Sequence, residues 1–362
     1  MSLGRPRNHG CRVSDAWTVD GMRTLIIENE LLRVTVLLDK GSDIVEFRYK
    51  PRDLDYLLYM PGGLKNPNRG VLSMPNDGPF LDYYTGGWND ILPNGGPFSS
   101  YKGAEFGQHG EVSLIPWECS VVEDTPESVA LKLWVRPLRT PFFVEKTLRM
   151  QPGRAVLSVD EQVTNEGGEP MHLMWGQHIA FGRPFLDDGA IVDVPARRLL
   201  VDPSKPGYEP RVYKPEGNFE WPNALSPEGK PVDASQIPPF GALKAQEMAY
   251  LTELTDGWYA IRNPIQHLGF GLRFDHQLYR YIWYWQQLGN VAEGFPWWSR
   301  LHTVALEPWT SYPTGGLSEA IANGTAVLLQ PGEQRKSSLK AVAFEGDAHV
   351  SNVTLDGDVK FA

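Results

Sequence analysis

The chain has 362 residues, of which 44 are acidic and 34 basic, giving a formal net charge of −10. Nucleic acids and anionic membranes bind net basic surfaces, so this balance argues against both as partners. Hydrophobic residues make up 41% and charged residues 22%, as in an average globular protein that can bury a substantial core.

Length, termini and cysteines predict one domain in the cytoplasm. The length exceeds the usual size of a domain, but large β architectures often form one unit and no linker divides the chain, so we expect a single domain over residues 1–362. No stretch is long and apolar enough to cross a membrane, and residues 1–10 lack the apolar core of a signal peptide. Cys11 and Cys119 are too few for a disulfide framework, which favours a reducing compartment.

Apolar and polar residues alternate with the period of a β-strand along much of the chain. The clearest examples are residues 32–38, 129–136 and 157–163. Residues 165–168 follow the third example and predict a turn that starts a hairpin. Later strand-like stretches fall near residues 248–254, 258–262, 268–274, 279–286, 300–307, 325–330 and 335–344. Because no long amphipathic helix stands out, the predicted fold class is all-β.

Two long segments have no clear period. Residues 60–102 contain three Gly-Gly pairs, and residues 202–239 contain nine prolines. Long irregular segments inside compact proteins are more often functional than idle. We expect both to lie at the rim of a binding face.

The segment over residues 171–181 is predicted as one extended strand with two different faces. Trp175 and Ile179 would point to one side and His178 to the other, because side chains alternate along a strand. His178 would then lie away from the apolar face, where it could act in acid–base chemistry. Taken alone, such a histidine more often hydrogen-bonds a neighbouring strand or solvent.

Two further segments carry a titratable side chain in a setting that suits catalysis. Glu307 ends an apolar strand and precedes Pro308, which holds it extended, and apolar surroundings raise the pKa of a carboxyl group toward neutrality. His109 lies in a glycine-rich turn that would let a substrate approach its imidazole. A salt-bridged glutamate and a surface histidine are equally natural readings. No two of these groups have a recognised zinc spacing, so we expect no metal.

Side chains that could contact a sugar fall in two segments. Seven aromatic residues lie between positions 281 and 298, and Trp285 is a candidate sugar contact among them, although core packing is the commoner role. The sequence GGWNDILPNGG, residues 86–96, is predicted as a loop. It supplies Trp88, Asn89 and Asp90, whose polar groups could bind hydroxyls or only form turns.

Several of these segments, in this order, resemble the aldose 1-epimerase (galactose mutarotase-like) family. They are GGWNDILPNGG, the pair His109-Gly110, the run VTNEGGEPMHLMWGQHIAF and the sequence Leu-Glu-Pro around Glu307. The likeness spans most of the chain. It implies a large β-supersandwich with an open ligand-binding face. It also implies His178 as general acid, Glu307 as general base and His109 as a substrate-binding residue.

Two features depart from the better-known members of that family. Their sugar-positioning arginine and aspartate have no clear counterpart, and Arg69 and Asp90 are the candidates for polar substrate contacts. The Trp-rich segment over residues 281–298 also differs from that of the galactose enzymes.

The activity implied by the resemblance is mutarotation of a free sugar by a monomer or homodimer, with no cofactor. An isomerase or lyase that abstracts a proton from an oxidised sugar would use the same acid and base. A non-catalytic carbohydrate-binding protein would use the aromatic residues alone. A phosphorylated sugar would require clustered Arg or Lys, and the basic residues are dispersed along the sequence.

Overall fold

The computed structural model describes residues 7–69, 78–203 and 208–362, and nearly all of their regular structure is β. These residues contain one α-helix, α1 (Leu317–Ala322), and a 3₁₀ turn at Lys50–Arg52. The predicted all-β class is confirmed. The strands in chain order are β1 (Arg12–Ser14), β2 (Thr18–Val19), β3 (Met22–Glu28), β4 (Leu32–Leu37), β5 (Asp43–Tyr49), β6 (Leu54–Asp55), β7 (Trp88–Ile91), β8 (Ser99–Tyr101), β9 (Ala104–Phe106), β10 (Glu118–Asp124), β11 (Val129–Val135), β12 (Phe142–Met150), β13 (Val156–Asn165), β14 (Met171–Leu173), β15 (Gly176–Phe181), β16 (Ala190–Asp193), β17 (Arg198–Val201), β18 (Asn218–Glu220), β19 (Asn223–Leu225), β20 (Pro231–Asp233), β21 (Gln236–Ile237), β22 (Ala245–Thr252), β23 (Trp258–Asn263), β24 (Leu268–Arg273), β25 (Tyr281–Leu288), β26 (Thr303–Trp309), β27 (Val327–Leu329), β28 (Gln334–Glu345), β29 (Val350–Val353) and β30 (Val359–Phe361).

Most of these strands belong to two large antiparallel sheets. Over the described residues the first sheet has 13 strands in the order β1-β3-β4-β5-β7-β15-β26-β25-β22-β17-β18, with β2 attached to β3 and β6 to β5. The second has 9 strands in the order β10-β11-β12-β13-β28-β24-β23-β16-β21. The pairs β8–β9, β14–β27, β19–β20 and β29–β30 stand apart from both sheets. The strands β7, β15, β26, β25 and β22 therefore lie in the middle of the first sheet.

The two sheets pack face to face over an apolar core. Phe47 on β5 and Phe181 on β15 each lie 5.1 Å, between ring centroids, from Phe270 on β24 of the second sheet. The alternating residues of β13 follow the same logic, since Leu157 and Val159 are buried in this core. Face-to-face packing of two sheets through alternating side chains is the arrangement of a β-sandwich.

The segment over residues 171–181 forms two strands, so the prediction of one continuous strand is wrong. The break falls at Met174 and Trp175, where the backbone N–H groups leave the ladder and donate to Pro93 O and Thr310 Oγ1 at 2.8 and 3.0 Å. The predicted division of faces is confirmed for β15. Ile179 belongs to the core between the sheets, while His178 lies on the opposite face of the first sheet with its neighbours on that side.

Two other local predictions are also wrong. The turn at residues 165–168 forms, but β14 pairs with β27 instead of folding back on β13, so there is no hairpin. Residues 86–96 are not simply a loop, because β7 occupies a central place in the first sheet between β5 and β15. Positive φ at Gly86 and Gly87 lets the backbone turn into β7. A Cβ at Gly86 would meet the carbonyl oxygen of Leu58, and one at Gly87 would meet that of Ile44.

Candidate active site

His178 and Glu307 are directly opposite each other on neighbouring strands. Gly176 pairs with Trp309 and Ala180 with Ala305 across β15 and β26, and this register places His178 opposite Glu307 on the same face. His178 Nε2 and Glu307 Oε1 are 3.6 Å apart. The two side chains predicted from distant segments thus form one pair on the outer face of the first sheet.

Glu307 is a buried carboxyl group with one hydrogen bond. Burial raises the pKa of Glu307 to about 8, although the hydrogen bond from the Trp309 indole acts in the opposite direction. That N–H donates to Glu307 Oε2 at 2.9 Å. Glu307 Oε1 faces His178, so the Trp309 contact orients the carboxyl group toward the imidazole.

His178 is buried and neutral at physiological pH. The pKa of His178 is lowered to about 3, chiefly by burial and to a smaller extent by the positive charge of Lys40. Among the described residues, His178 Nδ1 is buried with no hydrogen-bond partner. No neighbour therefore fixes the tautomer, and Nε2 can either accept a proton or carry one.

Trp309 holds Glu307 in place because two glycines leave room for its indole. A Cβ at Gly176 would lie 2.3 Å from the Trp309 ring, and one at Gly95 would lie 2.4 Å from it. On its other side the indole stacks on Trp283, with centroids 3.9 Å apart and an interplanar angle of 16°. The ring is thus enclosed, which fixes the direction of its N–H toward Glu307.

His109 approaches the pair from a loop in a strained conformation. Its φ of 58° lies in the left-handed region, which is uncommon for residues other than glycine and is concentrated at functional sites. The Gly96 backbone N–H donates to His109 Nδ1 at 3.2 Å, so the neutral ring carries its proton on Nε2. The His109 and His178 ring centroids are 5.5 Å apart. The prediction that His109 lies at the site agrees with this geometry.

A cavity of about 240 Å³ lies over the pair. Ligand pockets for drug-sized molecules span roughly 300–1,000 Å³, so this volume suits a smaller molecule such as a monosaccharide. Its polar side chains are those of Gln108, His109, His178, Tyr208, Glu307 and Thr314. Its apolar wall consists of Phe80, Leu81, Tyr84, Met248, Trp283, Trp285 and Trp297.

Four of the residues predicted from sequence line this cavity: His109, His178, Trp285 and Glu307. Asn89 is opposite His178 on β7 and shares its face of the sheet, but it is fully buried and donates from Nδ2 to Thr85 Oγ1 at 3.2 Å. Asn89 therefore packs beside the histidine and does not line the cavity.

Trp88, Asp90 and Arg69 do not reach the cavity. The Trp88 indole donates to Gln177 Oε1 at 2.6 Å on the core side of β7. Asp90 also faces the core, where it accepts from Lys146 Nζ at 2.6 Å. Arg69 is on the surface and pairs with Asp20 at 3.2 Å. The prediction that these three side chains contact substrate does not fit the structure.

Several lining residues were not predicted from sequence. Gln108 could have been found, because it belongs to the same glycine-rich motif as His109. Met248 could have been found from its strand parity on β22. Tyr84, Tyr208 and Thr314 come from irregular segments whose course no sequence pattern determines.

A family model described as "Domain of unknown function (DUF4432)" matches residues 19–342. The chain belongs to the DUF4432 family. No curated protein sequence matches it.

Solved structures show which fold this DUF4432 protein shares. A protein from Klebsiella pneumoniae subsp. pneumoniae, named as a candidate aldose 1-epimerase, superposes with a TM-score of 0.70 at 17% identity, covering 93% of this chain and 84% of that one. A galactose mutarotase-like protein from Clostridium acetobutylicum gives a TM-score of 0.64 at 14% identity, covering 93% and 99%. One from Lactobacillus casei gives 0.58 at 14% identity, covering 89% and 100%. The DUF4432 chain therefore has the galactose mutarotase-like fold.

The site of the DUF4432 protein offers acid–base groups within an aromatic pocket. In the part of the chain that is described, no group of three or more His, Cys, Asp or Glu side chains could hold a metal ion. The described helix is far too short to cross a bilayer. What the cavity presents to a ligand is one proton donor and acceptor pair, a few hydrogen-bonding side chains and an aromatic wall.

Proposed function

We propose that this protein is an aldose 1-epimerase, which interconverts the anomers of a free sugar. The observation that carries the proposal is the His178–Glu307 pair, with its two reactive atoms 3.6 Å apart in a cavity of monosaccharide size. The galactose mutarotase-like fold supports the same function by analogy.

The reaction requires one base and one acid. Glu307 takes the proton from the anomeric hydroxyl, and the electron pair of that O–H bond forms the C1=O1 double bond. The bond between C1 and the ring oxygen breaks, and the ring oxygen takes a proton from His178. Rotation about the C1–C2 bond and the reverse transfers then close the ring as the other anomer. The closed hemiacetal and the open aldehyde have the same oxidation level at C1, so the reaction needs no oxidant or reductant.

The pKa values of the pair determine where its proton lies before a sugar binds. With the pKa of Glu307 near 8 and that of His178 near 3, the empty pair holds one proton at neutral pH, and that proton lies on Glu307. Ring opening with Glu307 as base and His178 as acid therefore starts from the less stable arrangement, in which the proton is on His178. The arrangement with the proton on Glu307 and the one with the proton on His178 contain the same number of protons. Their populations therefore rise and fall together as the pH changes. In ring closure the two residues exchange roles.

The cavity favours a neutral sugar over a charged one. Among the described residues that line it, none is Arg or Lys. A phosphorylated sugar or a sugar acid would place its charge in an aromatic pocket without a cationic partner, which is costly. This argues against the lyase or isomerase alternative on oxidised sugars.

Polarimetry on a panel of free aldoses tests the proposal. Glu307→Gln and His178→Asn should each lower kcat by about 10² to 10⁴, the usual contribution of a general acid or base. His172→Asn is the matched control, because His172 lies outside the cavity and contacts Tyr101. A protein that binds sugars but never accelerates anomer exchange would instead be a carbohydrate-binding protein. Unchanged turnover in Glu307→Gln would remove this residue from the mechanism.

A further inference from the structure

The catalytic pair belongs to a longer row of side chains on the outer face of the first sheet. On β7, Asn89 is opposite His178. The pairing of β5 with β7 is antiparallel, and its register places Asp43 opposite Asn89. Side chains directly opposite each other on neighbouring strands have Cβ atoms about 4.5–5.5 Å apart. The row therefore continues from Glu307 and His178 to Asn89 and Asp43.

Asp43 fixes the direction of the Asn89 amide. The Asp43 carboxyl group is fully buried and pairs with the buried Lys40 ammonium at 2.5 Å. Thr85 Oγ1 donates to the same carboxyl oxygen at 3.0 Å. The Asn89 amide also hydrogen-bonds Asp43, and its Nδ2 donates to Thr85 Oγ1 at 3.2 Å. Since a carboxylate only accepts hydrogen bonds, Asn89 presents its N–H group to this end of the row.

Two buried atoms at the centre of the row complement each other. Within the described residues, neither Asn89 Oδ1 nor His178 Nδ1 has a hydrogen-bond partner. An amide oxygen can only accept, whereas an imidazole nitrogen donates whenever it carries a proton. A buried donor or acceptor without a partner is costly. Their opposite positions on β7 and β15 put the two side chains within reach of one hydrogen bond.

The proposed reaction creates a donor at His178 Nδ1. When His178 takes the proton of Glu307 it becomes an imidazolium, in which both ring nitrogens carry a proton. Nε2 faces Glu307, so the Nδ1–H group stays within the protein. The His178 backbone carbonyl favours the charged ring and the Lys40 charge disfavours it. An acceptor at Nδ1 matters most at this step, because hydrogen bonds from charged donors are the stronger ones.

We infer that Asn89 is a positioning residue for the acid, and that its Oδ1 accepts a hydrogen bond from the Nδ1–H group of His178. This inference rests on the proposed function. The contact holds the proton-carrying ring with Nε2 toward Glu307. Lys40 and Asp43 act through Asn89, because they hold its N–H group at the far end of the row. Asn89 does not line the cavity, so its effect should fall on kcat and leave KM nearly unchanged.

A double-mutant cycle tests whether Asn89 acts through His178. Asn89→Leu removes the acceptor and keeps the size of the side chain. It should lower kcat for anomer exchange by about 10 to 100-fold and change KM by less than about threefold. In the His178→Phe background, which has no ring nitrogen, Asn89→Leu should cause no further loss. Equal losses in both backgrounds would show a general structural effect and overturn the inference.

Nitrogen-15 NMR of His178 gives a test that needs no turnover. At neutral pH it reports which ring nitrogen carries the proton. In wild type the larger share should be on Nδ1, and this share should fall in Asn89→Leu. An unchanged share would overturn the inference even with anomer exchange established. A share that falls in a protein without anomer exchange would keep the contact and reject the proposed function.

Two further variants complete the test. If Asn89→Leu does not fold, Asn89→Ser keeps a hydroxyl donor near Asp43 but is too short to reach His178. The Tyr84 hydroxyl is another buried group with no partner in the described part of the chain, and its ring lies 5.3 Å from that of His178 between centroids. Asn89→Leu should lower kcat by the same factor in the Tyr84→Phe background. If the loss disappears there, Asn89 accepts from Tyr84 and the inference is wrong.

Discussion

Replacing Glu307 by Gln should make the protein more stable, and the gain should grow as the pH rises. The pKa of Glu307 increases from 4.5 to about 8 because the carboxyl group is buried. A raised folded pKa means that the folded state binds the proton more tightly than the unfolded state. The stability that this provides is fully present below about pH 4.5 and is lost as the pH rises through about 8. The amide introduced by Glu307→Gln does not titrate and keeps an oxygen that can accept the Trp309 N–H.

The expected size of this effect follows from the same two values. At about 1.36 kcal/mol for each pKa unit, wild type should lose up to about 4 kcal/mol relative to Glu307→Gln between pH 4.5 and pH 8. Urea unfolding of both proteins at several pH values across this range measures the difference directly. Glu220→Gln, at an exposed position on β18, is the control and should show no such trend. A difference that stays flat with pH would refute the account of Glu307 as a buried carboxyl group that is protonated at rest.

Further predictions concern the pair and the ring that supports it. The proposed mechanism requires one proton on the pair, so kcat/KM for anomer exchange should be level near neutrality and fall above about pH 8, where Glu307 loses its proton; a profile that rises through pH 9 would contradict this. Trp309→Phe removes the hydrogen bond that lowers the pKa of Glu307, so the fall of kcat/KM at alkaline pH should move to higher pH and kcat should fall by about tenfold. An unchanged pH profile would show that Trp309 does not set the pKa of Glu307. Gly176→Ala would force a methyl group against the Trp309 ring and should cost about 1–3 kcal/mol of stability together with activity, as thermal unfolding and polarimetry can show.

The sequence predicted the acid–base pair more accurately than the residues that surround it in the cavity. His178 and Glu307 were identifiable because strand alternation separates them from the apolar face and because Pro308 keeps the glutamate extended. Their meeting depends on the register of β15 against β26, which are far apart in sequence, and the pairing of distant strands leaves no local pattern.

The errors have physical causes as well. Gly-Gly and Asn residues at 86–96 are typical of turns, yet the central four residues complete the first sheet and direct Trp88 and Asp90 into the core. The family resemblance suggests Arg69 as a substrate contact, but its side chain pairs with Asp20 on the surface. Tyr84 and Thr314 enter the cavity from irregular segments, where tertiary contacts decide the course of the chain. The single-domain organisation, the cytoplasmic location and the monomeric or dimeric state stay predictions.

The central claim is that the His178–Glu307 pair moves protons between the oxygen atoms of a sugar and leaves its carbon-bound hydrogens untouched. Proton NMR of D-fucose and the enzyme in D₂O tests this in one experiment. The account predicts rapid exchange between the two anomer signals with no loss of any C–H signal, and no exchange above buffer in the His178→Asn, Glu307→Gln double variant. Deuterium incorporation at a ring carbon, or no acceleration by the wild-type protein on any aldose tested, would contradict it.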